Sequence, residues 1–227
     1  EVEAHFTKVA KTAGLPIGVP NEFDLSAYHH QIPGGMTGTF KNQLAQHGMP
    51  EKLDAVLEET GRGLSPLPVA SQALSCAAIL RCGSDDHRRN WLPGLSSGEA
   101  ICTLALYDEP NWIAPEAITL TGERADGGVK LSGTKPFVPD AMAAHYYLLA
   151  FRGPDGLALA GLSRDQVTVK AQPGMDRTKP GGSVTVDTVV SADMILPMTE
   201  ADLAFLTDLG AVAVTAEMVG AAEAALS

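Results

Sequence analysis

From Leu53 onward the apolar residues fall at helical spacing. Leu53, Val56, Leu57 and Thr60 recur at i, i+3, i+4 and i+7, and Gly61 and Gly63 stop the pattern. Residues 69–82 are small and apolar on nearly every side, as in a helix buried among others. Ser84 can cap a third helix, with Asp85 and Asp86 in its positive first turn and Trp91 and Leu92 toward a core. Upstream, 1–13 reads as an amphipathic helix with Val2, Phe6, Val9 and Ala10 on one face, ended by Gly14 and Pro16. The stretch 21–49 is interrupted by Pro33-Gly34-Gly35, Gly38 and Gly48, with Phe40, Leu44 and His47 sharing one face of a short helix. Residues 1–96 thus read as a helical domain.

After Gly98 the period shortens to two. Ile118 and Leu120, Val129 and Leu131, Tyr147, Leu149 and Phe151, Leu157 and Leu159, Val167 and Val169, and Val184 and Val186 supply six or seven short strands. Turn residues separate them at Asp126-Gly127-Gly128, Gly153-Pro154-Asp155-Gly156 and Pro180-Gly181-Gly182. This spacing predicts an antiparallel β-barrel or sandwich over 97–198. Helix returns at 199–227, with Thr199 as cap and Leu203, Leu206, Leu209, Val212, Ala216, Val219 and Glu223 at helical spacing. The fold class is therefore α+β: a helical N-terminal domain, a β-barrel middle domain and the opening helix of a C-terminal bundle. That last helix runs to Ser227 in mid-pattern, which predicts an exposed apolar surface and either self-association or a need for the missing part of that domain.

Charge and composition narrow the function classes. A net charge of -11 argues against a nucleic-acid binder, which carries a basic stripe. A phosphate-bearing ligand would need local cations, for which Arg124, Lys130, Lys135, Arg177 and Lys179 are candidates, although each also suits a solvated surface. No run approaches a membrane span and no signal peptide is evident, so no membrane is expected. Cys76, Cys82 and Cys102 lack metal spacing and read as buried thiols in a reducing, cytoplasmic setting. His29 and His30 would point to opposite faces of a strand and have no partner at i+4, so no metal site is assigned. There is no Gly-x-Ser-x-Gly elbow, which argues against a serine hydrolase.

Two segments, 101–110 and 132–140, read as neighbouring strands forming one binding wall. With Glu58-Glu59-Thr60-Gly61-Arg62, Gly83-Ser84-Asp85-Asp86, Trp91-Leu92-Pro93, Ser97-Gly98-Glu99 and Asp176-Arg177-Thr178 they form an ordered set over 57–227 that resembles the acyl-CoA dehydrogenase family. A second stretch, 28–44, with Tyr28-His29-His30-Gln31-Ile32-Pro33-Gly34-Gly35-Met36 and Asn42-Gln43-Leu44, resembles the carboxyltransferase subunits of biotin-dependent carboxylases. It is too short to form the barrel such an enzyme needs.

The dehydrogenase resemblance implies FAD and α,β-dehydrogenation of an acyl-CoA thioester in a homo- or hetero-oligomer. A carboxylate takes the α-proton and the β-hydride goes to the flavin. The family's first flavin strand falls on Leu104, Leu106 and Tyr107, with Tyr107 where threonine is usual and Asp108 where glutamate is usual. Its second falls on Phe137, Val138 and Pro139, with Phe137 replacing a tryptophan and Pro139 a hydroxyl residue. Phe137 can still stack, but Pro139 offers neither N–H nor hydroxyl. The loop 111–115, starting Asn111-Trp112, is bulkier than the family's Gly-Ser-Asp. The catalytic glutamate belongs to the family's C-terminal domain, so no catalytic residue is assigned. The alternative is a non-catalytic partner subunit of the same fold without a functional FAD site.

Overall fold

The structure, a computed structural model, describes residues 49–108, 113–174, 176 and 178–226. The helix expected over 1–13, His29 and His30, the 28–44 stretch, Asn111, Trp112 and Arg177 lie outside the described residues. The helices are α1 (Met49–Arg62), α2 (Val69–Cys82), α3 (Asp85–Ser96) and α4 (Glu200–Leu226). The strands are β1 (Cys102–Ala105), β2 (Gly122–Ala125), β3 (Gly128–Pro139), β4 (Tyr146–Gly153), β5 (Gly156–Ser163), β6 (Val167–Gln172), β7 (Gly181–Ser191) and β8 (Ile195–Pro197).

The caps sit where the chain's chemistry puts them. The Ser84 hydroxyl accepts from the N–H of His87, and the His87 ring returns a bond to the Ser84 N–H. Thr199 and Asp202 make the equivalent reciprocal pair at the start of α4. Gly127 and Gly156 take φ of +79° and +116° in the β2–β3 and β4–β5 turns, which favours glycine there.

The strands form two four-stranded sheets, ordered β1-β4-β5-β8 and β2-β3-β7-β6, and no closed barrel is found among the described residues. Nor is the sheet structure wholly antiparallel, because β1 runs parallel to β4. Parallel pairing needs a long crossover, and residues 106–145 supply it by way of β2 and β3 in the other sheet. Ile118 and Leu120, expected in a strand, lie in irregular chain after a short 3-10 turn. Residues Gly181 and Gly182 open β7 rather than forming a turn.

The first sheet is buried on both faces. Leu148, Ala150 and Leu159 meet Ile79, Leu92, Leu95, Leu203 and Leu206 of the helices. Tyr147, Leu149, Phe151, Ala158 and Ala160 meet Leu131, Val184, Val186 and Val190 of the second sheet. This is why 147–151 is a continuous apolar run, whereas β3 and β7, with one face in solvent, alternate. Trp91 covers the helix-facing side of β5. A Cβ at Gly161 would sit 2.0 Å from its indole. Gly161→Ala should therefore displace the ring and cost about 1–3 kcal/mol, seen as a lower urea midpoint at unchanged m.

Helix α4 packs on α1 and α2 through Leu203, Leu206, Ala213 and Gly220. Val212 and Val219, expected on the packed face, are instead exposed, as are Val214 and Met218. The reason is that α4 is apolar all round, so spacing alone cannot choose its buried face. Contrary to the sequence expectation, this 27-residue helix is long and apolar enough to cross a membrane, with a mean hydropathy of 1.5 over its best window. Its contacts with α1 and α2 suit a protein-packed helix equally.

Candidate functional site

Strand β1 is the edge of its sheet, and what it offers follows from backbone alternation. The carbonyl of Ile101 accepts from the N–H groups of His145 and Tyr146, so Ile101, Thr103 and Ala105 face β4. Cys102, Leu104 and Leu106 then turn their backbone groups to the open edge. There the Cys102 N–H donates to Gln72 Oε1 at 2.8 Å, and the Leu106 carbonyl accepts from Lys135 Nζ at 3.0 Å. The backbone of Leu104 faces outward between these two contacts. Gln72, from α2, fixes the entry to β1, since its amide nitrogen also donates to the carbonyls of Leu95 and Ala100.

Strand β3 comes up to the same edge. Its register with β7 shifts between Lys135, opposite Val184, and Val138, opposite Gly182, so β3 carries one extra residue, a β-bulge. The bulge lets Lys135 and Val138 both point inward, fully buried, while Phe137 between them is 58% exposed. Gly181 lies beside the Phe137 ring, and a Cβ there would come within 3.4 Å of it. Two contacts tie the strands together: the Thr103 hydroxyl donates to the Pro139 carbonyl at 2.6 Å, and Lys135 reaches Leu106. They bracket Leu104 on one strand and Phe137 on the other.

The six residues singled out from sequence therefore differ in what they present. The side chains of Leu104 and Val138 are buried in the helix-facing and intersheet cores respectively. Leu106 and Tyr107 are half-buried against the first core. The Tyr107 hydroxyl lies 2.6 Å from Thr207 Oγ1, whose own proton goes to the Leu203 carbonyl, so Tyr107 is the donor and its hydroxyl is committed to α4. Phe137 and Pro139 are exposed.

Lys135 is the main departure from expectation. As a candidate phosphate cation or surface charge it would reach solvent, yet its side chain is fully buried and lies 3.0 Å from Asp108 Oδ1, itself buried. That oxygen is off hydrogen-bonding alignment, so the contact is charge pairing. The other carboxylate oxygen accepts from the N–H groups of Thr119, at 2.6 Å, and Leu120, at 3.0 Å. Desolvation pulls the Lys135 ammonium down to about 8, with Asp108 opposing it. Between that value and the ordinary 10.5 the unfolded chain holds the proton more tightly, so stability should rise with pH across this window and be level below it. Urea titrations of wild type and Lys135→Met at pH 7, 9 and 10 test the sign; the difference between the two proteins should grow with pH.

The other candidate cations among the described residues are also paired. Arg124 pairs with Asp155, Lys130 with Asp187 and Lys179 with Glu217. Asp140, at the end of β3, takes φ of +52° and accepts a 2.6 Å bond from Ser71 on α2. Burial pushes its carboxyl up, against the Ser71 bond and Lys179. Glu217, which holds Lys179, also accepts from Thr60 on α1. Sequence reasoning missed Gln72, Thr103, Ser71 and Glu217, whose partners lie 23 or more residues away and leave no local pattern. Burial raises the thiols of Cys76, Cys82 and Cys102 to about 12, which makes them poor nucleophiles.

Among the described residues, the four helices and two sheets match the acyl-CoA dehydrogenase fold. By sequence and by structure the chain is a homologue of acyl-CoA dehydrogenases. It is 24% identical over 150 residues to acyl-CoA dehydrogenase fadE12 of Mycobacterium tuberculosis, a match covering 66% of this chain and 34% of that protein. Among solved structures, the Tcur3481-Tcur3483 steroid ACAD variant is 29% identical, with a TM-score of 0.66 over 78% of this chain and 48% of that one. Glutaryl-CoA dehydrogenase of Mycobacterium smegmatis in complex with FADH2 is 23% identical, with a TM-score of 0.71 over 78% and 48%. Butyryl-CoA dehydrogenase of Megasphaera elsdenii is 19% identical, with a TM-score of 0.72 over 100% and 67%. The chain spans about a third of the length of the curated relatives it matches. No family model matches it.

Proposed function

We propose that this chain supplies the flavin wall of an acyl-CoA dehydrogenase, with FAD as cofactor and an acyl-CoA thioester as substrate. The observation that carries the proposal is the seam between β1 and β3, where the outward backbone of Leu104 and the exposed Phe137 ring are bracketed by the Thr103–Pro139 and Lys135–Leu106 contacts. This donor set fits the ring system of a flavin: a backbone edge for its polar rim and an aromatic face for its plane. The paired cations do not fit its phosphates, and no described residue is assigned to them. Bound FAD supplies the hydride acceptor for α,β-dehydrogenation. The chain's own part is to orient the ring through Phe137 and the Leu104 edge and to shut out water with the two cores behind them. The base that removes the α-proton is not assigned to any residue.

A second reading, a non-catalytic subunit of the same fold, has its own support. The Tyr107 hydroxyl is spent on Thr207, and Pro139 lacks an N–H and gives its carbonyl to Thr103. One structural neighbour is described as the ChsE4-ChsE5 complex of Mycobacterium tuberculosis, and an assembly of two different chains would allow such a role. The visible absorption spectrum of the purified protein decides between them. A stoichiometric flavin that bleaches with an acyl-CoA supports the enzyme. A protein that stays colourless after incubation with FAD leaves the second reading.

A further inference from the structure

We infer that Lys135 and Asp108 are positioning residues: the buried pair holds the β3 bulge in the form that presents Phe137 to the proposed flavin. The inference rests on the flavin reading for its ligand, though not for its geometry.

The argument starts from what a bulge lacks. Between Lys135 and Val138 the ladder to β7 is interrupted, and Pro136 has no N–H with which to restore it. The backbone of Pro136 and Phe137 must therefore be held from outside the ladder. On one side the anchor is the Thr103 bond to the Pro139 carbonyl. On the other it is Lys135, whose ammonium ties the residue before the bulge to the Leu106 carbonyl and to Asp108. Asp108 in turn holds the N–H groups of Thr119 and Leu120, and its own N–H donates to the Ala117 carbonyl. One ammonium and one carboxylate thus fasten three segments, 106–108, 117–120 and 135, directly behind the exposed ring.

Stability alone does not explain the pair. Two buried charges recover little net energy over apolar side chains of the same size, because desolvation offsets their attraction. What the pair adds is direction: Lys135 can meet both its partners in one place only, and that place sets where the next residues turn. An apolar pair would fill the space without fixing the turn.

The test replaces both charges at once, with Lys135→Met and Asp108→Asn in the same chain. The asparagine oxygen still accepts from Thr119 and Leu120, so no buried carboxylate is left alone and the protein should fold. The first readout is the fluorine resonance of 4-fluorophenylalanine incorporated at position 137, in protein free of flavin. It should move or split in the double variant and stay in place in Lys135→Arg. The second readout is FAD affinity by flavin fluorescence, which should weaken about tenfold, the scale of losing a supporting contact behind a binding group. An unchanged resonance overturns the inference whatever the flavin does. A shifted resonance with unaltered FAD affinity overturns the flavin role. A wild-type protein that takes up no FAD sinks the flavin reading, and the resonance still decides the positioning. If the double variant does not fold, Asp108→Asn alone, which keeps the Thr119 and Leu120 contacts and removes the charge that draws Lys135, carries the same outcomes.

Discussion

Lys135→Met alone should lower stability by about 3–5 kcal/mol, because it strands the Asp108 carboxylate in a site shielded from water. The Leu106 carbonyl loses its donor in the same step. Against a typical total of about 5–15 kcal/mol this removes between about a fifth and all of the stability. Urea unfolding monitored by circular dichroism measures it directly. The contrast is with Arg124, whose pair with Asp155 lies in solvent. Arg124→Ala should change the midpoint by no more than about 1 kcal/mol in equivalent stability, since exposed pairs are screened. If Lys135→Met costs as little as Arg124→Ala, water reaches Asp108 in the folded protein.

The second large effect is expected at Gly220. Helices α1 and α4 meet backbone to backbone at two glycines: a Cβ at Gly220 would lie 1.7 Å from the Glu58 carbonyl oxygen, and one at Gly61 would lie 1.9 Å from that of Glu217. Neither obstacle is a side chain that can swing away. Gly220→Val must therefore push the helices apart and loosen the Arg62–Glu223 ion pair and the Thr60 contact with Glu217. The expected cost is about 3 kcal/mol, or roughly 10 °C in melting temperature for a chain of this size. Leu226, exposed near the end of α4, offers the control: Leu226→Ala should leave the melting temperature in place. Equal effects at both positions would show that α4 is held by general apolar contact and not by the glycine crossing.

How much of this was legible in the sequence depended on whether the cause was local. The caps at Ser84 and Thr199, the turns at Gly127 and Gly156 and the helix over 69–82 each follow from residues within a few positions of one another, and each is present. The barrel was expected from strand count and turn spacing, which do not say whether an edge closes. The parallel β1–β4 pair arises from a crossover forty residues long, beyond any periodicity. At the site, the two wall segments could be named, but the burial of Lys135 could not. A lysine two residues before an aromatic reads as surface charge until Asp108, 27 positions earlier, is folded against it. The bulge was equally hidden, because Pro136 marks an interruption in a strand without saying which way the next side chain will turn.

Strand β4 has a consequence for alignment. In most strands a slip of one residue would carry polar groups into the core, and that penalty fixes the pairing. Between Leu148 and Phe151 a slip would only exchange apolar side chains, since both faces are covered. What tells the two faces apart is bulk. Tyr147, Leu149 and Phe151 fill the space between the sheets, whereas Leu148 and the small Ala150 face the helices, where Gly161 on the neighbouring strand leaves room for Trp91. The alignment of the central hairpin is thus encoded in side-chain volume and not in polarity. Substitutions there that preserve hydrophobic character but redistribute size, such as exchanging Ala150 and Phe151, should scramble pairing that a hydropathy profile would report as untouched.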